Sequence, residues 1–121
     1  MRRLLLIATI LVPFGTALVY PQGPAKPTKG YPAVNAIFKA NCVGCHQGAG
    51  AAGKFDVTTY AKVMVGSKKG KMVVPGKPTK SPLMDYLKGT KKPAMPMGAK
   101  PLKSADLKII SDWITAGAKN K

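Results

Sequence analysis

A chain of 121 residues with 20 basic and 4 acidic side chains carries a net charge of +16. That length excludes more than one small domain beside any leader or linker, and one Trp, four Tyr and three Phe leave only a modest side-chain core. Arg2 and Arg3 are the only arginines, so nothing downstream can read guanine or phosphate bidentately, and acidic proteins are favoured over nucleic acid as partners.

The chain opens with Met1-Arg2-Arg3 and an apolar run from Leu4 to Val12, broken only by Thr9. Pro13 and Gly15 interrupt the run, and Gly15-Thr16-Ala17 has the small-x-small form of a cleavage site. This pattern predicts an export signal over residues 1–20, with a retained membrane anchor as the alternative. It places the protein in the periplasm or on the outer face of the cytoplasmic membrane. Residues 21–31, with Pro24, Pro27, Gly23 and Gly30, read as an extended linker. The globular domain is expected over 32–121.

Val34, Ile37, Phe38 and Cys42 stand at helical spacing, and Pro32 suits the first turn. A helix is therefore predicted from about Ala33 into Cys42-Val43-Gly44-Cys45-His46, which holds both cysteines and the one histidine of the chain. This C-x-x-C-H pattern is that of covalent haem attachment. Two thiols one turn apart reach the two vinyl groups on one porphyrin edge, and the next imidazole meets the iron. A structural zinc site needs four ligands, and a thioredoxin-like pair needs a βαβ setting that the flanking sequence lacks. A disulfide across two residues is strained and closes too short a loop to stabilise much.

A weak helix follows from Thr58 to Val65, ended by Gly66. Gly66 to Lys80 reads as loop and contains Lys68, Lys69 and Lys71. Ser81-Pro82 opens a short helix to about Lys88, with Gly89 as its cap and Lys91 and Lys92 beyond. Met64, Met72 and Met84 are explained by packing. Pro93-Ala94-Met95-Pro96-Met97-Gly98 cannot be a regular helix and is expected to run extended, which puts Met95 and Met97 on one side. With one histidine in the chain, a second protein ligand to iron comes from Met or Lys. Met95, fixed by Pro96, is favoured over Met97. The last helix is predicted from an N-cap at Ser104 to Gly117, with Leu107, Ile110, Trp113 and Ile114 on one face. Phe38 and Trp113 are the expected aromatic partners between the terminal helices.

Cys42 to His46 after a short helix, a Met-Pro loop and a final aromatic-bearing helix resemble class I monohaem cytochromes c. The resemblance is closer to the short planctomycete-type cytochrome c domains. The stretches that carry the resemblance are Val74-Pro75-Gly76-Lys77-Pro78 with Ser81-Pro82-Leu83, Met95-Pro96 with Pro101-Leu102, and Trp113 to Ala118. It implies an all-α fold of three to five helices around one covalent haem c, with Met95 as the distal ligand to iron. In this chain Met97 replaces the second proline of the family's Met-Pro-Pro loop.

The function expected is one-electron carriage rather than enzymatic catalysis, with Lys68, Lys69, Lys71, Lys91 and Lys92 docking acidic redox partners transiently. Two alternatives stand beside it. One is a haem subunit of a larger or membrane-bound redox complex. The other is a ligand-binding or peroxidase-like protein with an open sixth position. The second has little to draw on, because past the leader the chain offers no second His, no Arg and no Glu for distal acid–base chemistry.

Overall fold

The computed structural model describes Tyr20 and residues 23–121. The expected export signal, apart from Tyr20, lies outside these residues. Four α-helices make up the described chain: α1 (Gly30–Asn41), α2 (Tyr60–Val65), α3 (Pro82–Lys88) and α4 (Ser104–Thr115). Single 3-10 turns occur at Ala52–Lys54 and Pro78–Lys80. No strand forms among the described residues; a lone bridge joins Ser67 and Gly70. The all-α expectation holds, and no helix of the described residues is long and apolar enough to cross a membrane.

The helix α1 begins earlier than its apolar stripe suggests. Its first turn is closed from a distance, because the Tyr31 amide donates to the Lys121 carbonyl at 2.9 Å. Gly30 has φ of +68°, and a Cβ there would collide with that same carbonyl, so this position takes glycine. Pro32 still falls in the first turn, where its missing N–H costs nothing. Along α1, Val34, Ile37 and Phe38 are buried against Ile110, Trp113 and Ile114 of α4. These two helices form the main contact of the fold. The Trp113 ring meets Tyr31, with centroids 5.6 Å apart, and not Phe38. The reason is position along the rods. Trp113 lies in the last turn of α4, beside the start of α1, whereas Phe38 sits about 10 Å further along α1. Tyr60 joins the cluster edge-on to Tyr31 at 5.1 Å, and its hydroxyl donates to the Ala118 carbonyl.

Two expected caps are made differently. The N-cap of α4 is Lys103, with Ser104 the first helical residue and no side-chain cap bond. Ser81 precedes α3 but does not cap it with its side chain. It is fully buried, and its Oγ accepts from the Val74 amide at 2.9 Å and donates to the Lys77 carbonyl at 3.0 Å. The hydroxyl thus ties the Val74–Lys80 loop to α3, a polar node inside an apolar core. The expected glycine stops hold: Gly66 follows α2, and Gly89, left-handed at φ +75°, caps α3. Met72 and Met84 are core residues and Met64 is partly buried against the core, as packing requires.

Removing the Ser81 hydroxyl leaves the Val74 amide without a partner. Ser81→Ala is expected to lower unfolding free energy by about 1–3 kcal/mol, read from the guanidinium midpoint at unchanged slope.

Candidate functional site

The motif Cys42 to His46 takes over where α1 stops. The Cys42 and Val43 amides both donate to the Phe38 carbonyl, at 2.8 and 3.0 Å, and the Cys45 and His46 amides both donate to the Cys42 carbonyl, at 3.1 and 2.9 Å. The backbone therefore makes one tight turn that carries both sulfurs. Both cysteines are free thiols; Cys42 is half-buried and Cys45 exposed. Burial pushes the Cys42 thiol up to about 11, so it is a neutral thiol at pH 7 until something outside the chain takes its proton.

His46 is held from two sides. Its Nδ1 lies 3.0 Å from the Phe55 carbonyl oxygen. A carbonyl can only accept, so Nδ1 carries the proton and Nε2 is left with the lone pair. The Val57 amide donates to the His46 carbonyl at 2.9 Å. The Phe55 ring stands edge-on to the imidazole, centroids 5.8 Å apart. Between Phe55 and Val57 sits Asp56, whose carboxylate accepts from the Gly48 amide, the Thr58 amide, the Thr58 hydroxyl and the Lys62 ammonium. The Lys62 bond first, then those from Thr58, holds the Asp56 carboxyl well below the usual carboxylate range.

Residues 93–98 do not run extended as the sequence suggests. They bend and turn after α3, and the Lys92–Pro93 and Met95–Pro96 peptide bonds are cis. The two methionines accordingly separate. Met95 is half-buried and packed against the core, with its amide donating to the Tyr86 carbonyl at 2.9 Å. Met97 is 70% exposed.

The five lysines singled out in the sequence are all exposed. The Lys68 amide donates to the Gly53 carbonyl in the loop after the motif. Lys69 reaches the Tyr86 hydroxyl at 3.4 Å, and Lys71 the Met64 carbonyl at 2.8 Å. Lys91 pairs with Asp85 at 3.7 Å. The loop from Ser67 to Lys71 thus bridges the motif loop and the α3 end that anchors Met95. Sequence reasoning missed the contributions of Phe55, Val57 and Tyr86, because a backbone carbonyl or amide is present in every residue. Asp56 was legible in principle, since Asp-x-Thr is a turn pattern.

These residues fit an iron porphyrin by their own geometry. Two unpaired thiols share one turn, and the adjoining imidazole has Nδ1 occupied by the Phe55 carbonyl and Nε2 left with its lone pair, the arrangement metal-ligating histidines adopt.

Because the Asp56 carboxyl is depressed in the fold, its contribution to stability is present above the unfolded value of about 3.9 and is lost as pH falls below it. The urea midpoint is expected to stay level between about pH 7 and pH 5 and to drop below about pH 4. Asp56→Asn should be less stable at pH 7 and show a smaller acid drop.

Residues 42–97, from the first cysteine of the motif to the exposed methionine, match the family model described as Planctomycete cytochrome C. Neither the curated proteins nor the solved structures offer a significant match. The segment that builds the thiol turn, the held imidazole and the methionine loop is thus similar to a planctomycete-type cytochrome c domain.

Proposed function

We propose that this chain is an exported c-type cytochrome that carries one electron at a time, with haem c bonded to Cys42 and Cys45 and its iron held by His46 and Met95. The observation that carries the reading is the 3.0 Å contact of His46 Nδ1 with the Phe55 carbonyl, which leaves Nε2 with its lone pair available to a metal. When bound, the haem supplies a reversible one-electron couple at its iron.

The chain's own residues do the rest. Cys42 and Cys45 would bond the porphyrin at the end of α1, and the two thioether links would keep the cofactor from leaving. His46 sets the proximal side, and the Phe55 carbonyl prevents its ring from turning. Met95, half-buried and tied by its amide to α3, is supported as the distal ligand over the exposed Met97. If His46 and Met95 both held the iron, no site would remain for a substrate, which favours carriage over catalysis. A thioether on one side raises the potential by favouring ferrous iron.

Docking falls to the lysines. An ammonium is strongly hydrated and makes no rigid fork, so complexes through Lys68, Lys69, Lys71, Lys91 and Lys92 form and part quickly. Acidic redox proteins, free or within a membrane complex, are the partners this surface suits. Periplasmic or outer-face placement accords with the leader and with the chemistry of haem c, which is attached outside the cytoplasm.

The mass and absorption spectrum of the mature protein test the reading together. A mass of polypeptide plus one haem, with the red ferric band of sulfur–iron bonding, is expected. Met95→Ala should abolish that band and Met97→Ala leave it; the opposite pattern moves the ligand to Met97, and a mass without haem ends the reading. Electron exchange with an acidic partner should slow about tenfold or more as the Debye length shrinks from about 30 Å to about 10 Å with added salt. Replacing Lys68, Lys69 and Lys71 together by Gln should flatten that dependence.

A further inference from the structure

Asp56 stands where no buried-core argument requires a carboxylate. Its side chain is only 13% exposed, and both oxygens are saturated. Oδ2 accepts from the Gly48 amide at 2.8 Å and the Lys62 ammonium at 2.8 Å; Oδ1 accepts from the Thr58 amide at 2.8 Å and the Thr58 hydroxyl at 2.6 Å. These four donors come from three places: the loop just after His46, the turn before α2, and α2 itself. The residues on either side of Asp56 are the ones that grip His46, Phe55 through its carbonyl on Nδ1 and Val57 through its amide on the His46 carbonyl.

We infer that Asp56 is the positioning residue of the proximal ligand: by locking Gly48, Thr58 and Lys62 onto one carboxylate, it fixes the Phe55 carbonyl against His46 Nδ1 and sets the strength of that hydrogen bond. This rests on His46 being an iron ligand, as proposed above. A firm Nδ1–H···O bond leaves the imidazole more electron-donating and favours ferric iron; a slack one does the reverse. Asp56 needs no contact with iron or porphyrin for this role. It acts through Phe55, at a distance of two bonded contacts.

The other backbone bonds of the loop hold it before and after this peptide unit, the Val57 amide on the His46 carbonyl among them, but none takes hold of Asp56 itself. The Ala52 amide donates to the Cys45 carbonyl and the Phe55 amide to the Ala52 carbonyl, which shape the loop up to Phe55 but leave the direction of the Phe55 carbonyl free. That carbonyl belongs to the peptide unit shared with Asp56, so anchoring Asp56 aims it. An asparagine there keeps the size but replaces one acceptor oxygen by a donor, so at least one of Gly48, Lys62 or Thr58 loses its partner.

The test uses the matured, haem-loaded protein in the reduced state, with proton NMR following exchange of the His46 Nδ1 proton and of the Ile110 amide in α4. In Asp56→Asn the Nδ1 proton is expected to exchange about tenfold faster or more beyond any acceleration at Ile110, whose exchange reads the loss of global stability expected of this variant. Thr58→Val removes one donor and keeps the charge. It should accelerate Nδ1 exchange by a smaller factor and raise the potential without any change in net charge. Parent-like Nδ1 exchange in Asp56→Asn overturns the inference, and so does equal acceleration at His46 and Ile110, which marks general loosening. If Asp56→Asn does not mature, Thr58→Val decides alone: Nδ1 exchange about threefold faster supports the role, and parent-like exchange refutes it. A parent protein without haem in its mass removes the functional reading instead, and is recognised before any variant is compared.

Discussion

The contact between His46 Nδ1 and the Phe55 carbonyl joins residues nine apart, and the intervening loop is shaped around it. Ala52 is fastened to Cys45, Val57 to the His46 backbone, and Asp56 to Gly48, so the chain from 45 to 58 closes on itself in three separate places. One tautomer of one imidazole results. A histidine whose Nδ1 faced water could bind a metal through either nitrogen and could rotate about its χ2. Here both freedoms are removed by the chain's own backbone, which would lower the ordering cost of any metal ligation through the other nitrogen.

That loop needs a rigid base, and α1 with α4 provides it. Val34, Ile110 and Ile114 are fully buried between the two helices, and the motif turn begins directly at the C-terminal end of α1. The Gly76 amide donates to the Ile114 carbonyl at 2.7 Å, which brings the Val74–Lys80 loop onto the same support. From there Ser81 hands the chain into α3, and the Tyr86 carbonyl of α3 receives the Met95 amide. The thiol turn and the Met95 loop therefore both trace back to the α1–α4 crossing through short chains of backbone hydrogen bonds. The lysines remain outside this frame, which is how a chain with 20 basic side chains keeps a dry interior.

Much of this was legible without coordinates, for definable reasons. Cys42, Cys45 and His46 declare themselves because their chemistry is rare and their spacing is local. The glycine stops at Gly66 and Gly89 were readable because left-handed backbone selects glycine. The start of α1 was not, because it is capped by Lys121 at the far end of the chain, and no local pattern encodes a partner that distant. Ser81 looked like a cap because Ser before Pro usually is one; burial turned its hydroxyl inward to Val74 and Lys77. The methionine segment was read as extended from its prolines, yet it bends, and the bend is what gives Met95 and Met97 different exposures. Phe55 and Tyr86 act through main-chain oxygens, which carry no sequence signature at all.

The closure of Tyr31 on Lys121 fixes where the proline-rich stretch leaves the folded body. It departs at the far end of α1 from the cysteine turn, and twelve helical residues span about 18 Å. A support joined through that stretch would hold the folded body at the end of α1 opposite the cysteine turn.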